Sequence, residues 1–153
     1  MISARLYIIL KTVLGGFLVM FILSVLWNLL VHQKFMIYPS SFYGQDYMFI
    51  IITGISYLVL TLLMVGFYSI STRNYPPIFE GVLLGVIAGV ACVLAMDLMN
   101  IPFFKFGSIQ EYAIQISRHV VEQGIGGFAI ATIYSRSKKK MMRTPLLYEF
   151  YVR

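Results

Sequence analysis

Charge is scarce in this chain: 12% of its 153 residues are charged, and only six of them are acidic. A water-soluble domain carries roughly 25% charged residues. With 59% hydrophobic residues and a mean hydropathy of +0.83, a soluble fold of this size could not hide its apolar surface. Lipid must therefore solvate part of it. Cysteine is almost absent as well. Cys92 stands alone inside an apolar run, which excludes an intrachain disulfide and any CxxC pair. A quinone-linked thiol oxidoreductase is excluded with them, and Cys92 reads as a small packing residue. There is no nucleophile elbow, phosphate loop or zinc-protease motif. The long apolar runs lack period-two alternation, so a membrane β-barrel is excluded too.

What the chain does have is four long apolar stretches. They cover about 6–31, 47–70, 78–101 and 108–134, the last with its apolar part beginning near Ile114. Crossing a bilayer as a helix takes about 20 residues at a rise of about 1.5 Å each, so each stretch suffices. The expected fold is all-α: a four-transmembrane-helix bundle over 1–135, with a basic tail over 136–153. The first stretch is too long for a signal-peptide core, and no small-x-small cleavage site follows Trp27 and Asn28, so it reads as a retained helix.

Short connections separate the spans. Pro39, Ser40, Ser41 and Gly44 form the first, among Tyr38, Phe42, Tyr43 and Tyr47 of an interfacial aromatic belt. Pro76-Pro77 ends the second, and Pro102 begins the third. Ser108-Ile109-Gln110-Glu111 then reads as a capping box that starts the fourth helix.

Orientation follows from the basic residues. Arg5, Lys11, Arg73, Arg136, Lys138, Lys139, Lys140, Arg143 and Arg153 fall on one side, and Lys34 and Lys105 on the other. The richer side belongs in the cytoplasm, so both termini are expected there. The formal charge of +6 owes much to Arg136, Lys138, Lys139, Lys140 and Arg143. A cluster beside a span suits anionic lipid headgroups, and its position accounts for the charge without nucleic acid.

Two patterns mark the interior. Gly81, Gly85 and Gly89 repeat every four residues in the third span, and Gly124, Gly126 and Gly127 lie in the fourth. Small residues at this spacing let helix backbones approach closely in lipid. Close packing of spans three and four is expected from Gly81, Gly85, Gly89, Gly124 and Gly127, with homodimerisation through the same residues as the alternative. The second pattern is polar. Asn28 and His32 lie at the end of the first span, Asp97 and Asn100 in the third, and Arg118, His119 and Glu122 in the fourth. All fall in the outer half of the membrane under the orientation above. A lone Asp or Arg at mid-membrane costs about 2.5–3.5 kcal/mol, so these groups should pair. The expected pairing is Arg118 with Asp97, with Glu122 as second acceptor.

Three readings of the cluster stay open. It is an interhelical clasp, a site for a small polar molecule, lipid headgroup or ion, or a haem or metal site using His32 and His119. The absence of His-x3-His and Glu-x2-His spacing argues against the last.

Leu26-Trp27-Asn28 at the end of the first span and Asp97-x2-Asn100-x-Pro102 closing the third carry a resemblance. With the four-span layout, the chain resembles small four-helix bacterial inner-membrane proteins of uncharacterised families. That resemblance implies location and fold alone. The leading expectation is a non-enzymatic multi-pass protein of the cell membrane. It would bind a small ligand or lipid at the polar cluster, or serve as an accessory subunit of a larger membrane complex. Its partners would be membrane lipids or a second copy of itself, and no cofactor is required. A small oligomeric transporter or channel is the alternative, and a haem- or metal-binding membrane enzyme the second.

Overall fold

The computed structural model describes residues 2–27, 46–71, 76–98 and 109–142. These form four α-helices: α1 (Ile2–Trp27), α2 (Asp46–Ile70), α3 (Pro77–Leu98) and α4 (Ile109–Met142). Three of them, α1, α2 and α3, are long and apolar enough to cross a membrane. With 34 residues α4 is the longest, about 51 Å at the usual rise, and it carries the most polar residues.

Local chemistry sets the helix ends. Pro77 opens α3, where its missing N–H costs nothing, and the Glu80 amide donates to the Pro76 carbonyl at 3.1 Å. Glu80 lies in the first turn of α3, and Lys139 and Lys140 in the last turn of α4. Each complements the local end of the helix dipole. The Ser71 hydroxyl also donates to the Glu80 carboxylate, which ties the end of α2 to the start of α3.

Two registers define the bundle. Positions 81, 85 and 89 of α3 face Gly127, Gln123 and His119 of α4, four residues against four in opposite directions. On the other side of α4, Gly15 faces Ile133, Gly16 faces Ile130, and Met20 packs against Gly126. The helices are therefore antiparallel neighbours. One end of the bundle carries Trp27, Leu98 and Ile109, and the opposite end Ile70, Pro77 and Met142. The α3–α4 contact is the most extensive, followed by α1–α4 and α1–α2, while α2 touches α3 and α4 only lightly.

The core holds Val13, Met20, Tyr57, Met64, Val65, Tyr68, Ile130 and Ala131. The outer surface is equally apolar. Leu6, Leu10, Leu14, Leu18 and Ile22 form an exposed ridge along α1, and Ile55, Val59, Leu62, Leu63 and Phe67 one along α2. Helices apolar on every side suit a lipid environment, where the outer ridge meets acyl chains.

α4 continues as helix to Met142. Arg136, Lys138, Lys139 and Lys140 thus lie on its last turns, past the expected helix end at 134. No proline or glycine lies between Gly127 and Pro145, so each amide of those turns can donate to the carbonyl four residues before it. Arg143 lies outside the described residues, as do Asn28, His32, Asn100 and the Ser108 cap.

Candidate functional site

The α3–α4 contact brings backbones together. A Cβ on Gly85 would come within 2.6 Å of the Gln123 carbonyl carbon and 2.9 Å of the Gly124 Cα. One on Gly89 would meet the His119 carbonyl oxygen at 2.6 Å, and one on Gly81 the Gly127 carbonyl oxygen at 2.5 Å. Backbone atoms cannot rotate out of the way, so glycine is the residue these positions require. Two of the glycines of α4 behave differently. A Cβ on Gly124 would make only ordinary contact, with Val86 Cγ2 at 3.6 Å, and Gly126 faces Met20 of α1. Gly81, Gly85 and Gly89 are thus covered by α4 of the same chain.

The tight contact turns the opposite face of α4 toward α1 and α2, and the polar residues meet there. Arg118 Nε donates to Glu122 Oε1 at 2.9 Å, one helical turn away. Arg118 Nη2 donates to Ser24 Oγ of α1 at 3.1 Å. The Tyr57 hydroxyl of α2 donates to Glu122 Oε2 at 2.5 Å. Three helices thus converge on one ion pair whose side chains are 12% and 4% exposed. Both carboxylate oxygens are engaged, which a buried anion requires. Arg118 uses two of its five N–H donors on these partners, among the described residues.

On the same turns of α4 lie two buried polar atoms that have no hydrogen-bond partner among the described residues. They are His119 Nδ1 and Gln123 Oε1. His119 Nδ1 is 3.9 Å from Glu122 Oε2, too far for a hydrogen bond. Gln123 is only 1% exposed. His119 and Gln123 are four apart and so share a face, with Gln115, also buried, one turn beyond.

Toward the Ile70 end of the bundle the interior becomes apolar. Met20 and Ile130 are fully buried there, with Val13, Met64 and Val65 beside them. Two hydroxyls at this level are satisfied within their own helices, Thr61 donating to the Tyr57 carbonyl and Thr12 to the Ile8 carbonyl, both at 2.7 Å, while Thr132 Oγ1 is buried with no partner among the described residues. Beyond this layer, Tyr68 bonds the Pro77 carbonyl and Ser135 and meets Tyr134 edge-on. The polar cluster is therefore separated from the Ile70 end by several residues of packed hydrocarbon.

Arg118, His119 and Glu122 lie within one turn of α4, and Glu122 is the acceptor of Arg118 that the structure describes. Arg118 pairs with Glu122 and Ser24. The register that sets Gly89 opposite His119 puts position 97 level with position 111, two turns beyond Arg118; the Asp97 side chain lies outside the described residues. Ser24 was not legible as a partner, although it lies four residues before Asn28 in the sequence. Tyr57 was not legible as a partner either. His32, the other half of a histidine pair for haem or metal, lies outside the described residues. Among the described residues no three His, Cys, Asp or Glu side chains are grouped to hold a metal.

No protein-family description, curated protein or solved structure matches the chain.

Proposed function

We propose that the chain is an integral protein of the bacterial inner membrane that crosses it four times, with both termini in the cytoplasm. We further propose that it is a non-enzymatic binding protein, taking a small polar molecule or a lipid headgroup at the Arg118–Glu122 cluster from the outer leaflet. Three apolar spans support the location, and the excess of Lys and Arg at the Ile70 end supports the orientation. For α4 to cross as well, its polar half must be shielded from lipid. Burial of Gln115, Glu122 and Gln123 against the other helices meets that need.

One observation carries the binding role. Glu122 is fully engaged, yet among the described residues His119 Nδ1 and Gln123 Oε1 on the same turns of α4 are buried without a partner, and Arg118 keeps donors beyond those it spends on Glu122 and Ser24. A clasp needs only the first of these features. An unpaired buried polar atom costs roughly 1–3 kcal/mol, which a hydrogen-bonding guest would recover. The packed layer of Met20, Met64, Val65 and Ile130 supports binding from one side over passage through the bundle.

Native mass spectrometry of the protein released from membranes in mild detergent tests this reading. A bound small molecule or lipid should accompany the wild type and be lost from Arg118→Gln and Gln123→Leu. Bare wild-type protein, or an adduct equally retained by folded variants, would overturn it.

A further inference from the structure

A second charged feature lies at the other end of the bundle. The Gly81–Gly127 register puts the start of α3 level with position 131, so α4 runs on for about eleven residues, roughly 16 Å, without α3. α1 accompanies it. Gly15 faces Ile133, and one turn further the same register sets Lys11 level with Arg136 and Arg5 level with the end of α4. Ile8 and Thr12 are buried there, so the extension is packed, whereas Lys11, Arg136, Lys139 and Lys140 are exposed.

The charges are not evenly spread around it. Arg136 and Lys140 are one turn apart on the face of α4 that continues from Ile133, the residue touching Gly15. Lys11 lies one turn before Gly15 on α1. These three cations border the same groove between α1 and α4, with Arg5 at its open end. Lys139 is turned away from α1, and Lys138 toward the side of α3. The one acidic residue near this end among the described residues, Glu80, belongs to α3 and is hydrogen-bonded to Ser71.

We infer that the groove bordered by Lys11, Arg136 and Lys140 is a binding site for the phosphate of an anionic phospholipid in the cytoplasmic leaflet. Two side chains of α4 and one of α1 can surround a single phosphate. The exposed apolar ridge of α1, beginning at Leu14 and Leu18, offers the acyl chains a surface directly beneath. Neither a free anion nor a polyanion outside the membrane would use that ridge. The negative potential of an anionic leaflet also attracts basic residues beside a span. The inference rests on the four-span orientation proposed above.

The test is competition between phosphatidylglycerol and phosphatidylcholine of matched chains, added in equal amounts to the full-length protein in mild detergent and read by native mass spectrometry. The wild type should hold the anionic lipid at least fivefold in excess. Arg136→Gln/Lys140→Gln should lose most of that preference, and Lys138→Gln/Lys139→Gln, which removes the same charge, should change it less than twofold. Equal loss in both pairs would mean diffuse attraction and overturn the site, as would no preference in the wild type. Displacement of the lipid by millimolar glycerol phosphate or by a short oligonucleotide would overturn it in favour of a soluble anion. Orientation is scored separately: in a Cys92→Ser background, Lys139→Cys should react with a membrane-impermeant thiol reagent only from the cytoplasmic face. Labelling from the other face would refute the orientation while leaving the lipid preference to be judged by its own measurement.

Discussion

The two faces of α4 are held by opposite means. Toward α3, contact is between backbones, and the residues matter for what they lack: a Cβ at 81, 85 or 89 would strike main-chain atoms of α4. Toward α1 and α2, contact is between side chains, with an ion pair and two hydroxyls at one level and methionine and isoleucine at the next. The first kind of contact tolerates no added volume but is indifferent to charge. The second can repack around volume but not around a missing partner.

Substitutions can break this contrast. The largest loss is expected from Glu122→Ala, which strands a buried guanidinium and the Tyr57 hydroxyl: about 3–5 kcal/mol by denaturant titration in mixed micelles. An apolar double replacement, Arg118→Met with Glu122→Leu, should recover most of that loss. If the double variant is no more stable than Glu122→Ala, the cost lies elsewhere than in an unpaired charge. Gly85→Val should come next, at about 1–3 kcal/mol, since the Gln123 backbone cannot yield. Gly126→Ala, opposed by a flexible methionine, should cost clearly less in the same titration, and equality of the two would erase the proposed distinction.

Tyr57→Phe removes the hydroxyl that bonds Glu122 while keeping the ring. In membrane proteins such bonds average about 0.6 kcal/mol and reach about 1.7, and the carboxylate acceptor places this one toward the upper figure. A change below the average would show that Glu122 finds another donor. The smallest effect belongs to Gly66→Ala on the exposed side of α2. No atom lies within 4 Å of the added Cβ, so the thermal midpoint should stay the same or rise slightly. A clear drop would reveal a contact with another molecule at that face.

Much of the helix layout could be read before the structure. α2 was expected over 47–70 and runs Asp46–Ile70; α3 was expected from 78 and begins at Pro77. Long apolar runs and the Pro76-Pro77 pair leave little choice at those ends. The end of α4 was less legible. Basic residues end an apolar run without ending a helix, since Lys and Arg are good helix formers. Glycine spacing pointed to the α3–α4 contact, but could not say that Gly126 would turn to α1, because that depends on how far α4 is rotated. The same rotation decides the site. Arg118 and Glu122 at i, i+4 were legible as a pair from spacing alone. Ser24 and Tyr57 were not, since a lone hydroxyl in an apolar helix looks the same whether it bonds its own backbone, as Thr12 and Thr61 do, or another helix.

By itself the amino-acid order determined that the described residues are helical, where three helices apolar enough to cross a membrane lie, and which residues lipid would reject. Those outcomes follow from local spacing and from transfer energies that each residue carries with it. Tertiary structure alone decided which rejected groups share a pocket, because partners on different helices meet only once register and rotation are set. Here the glycine face of α4 takes α3, and that close backbone contact leaves Arg118 and Glu122 directed at Ser24 and Tyr57.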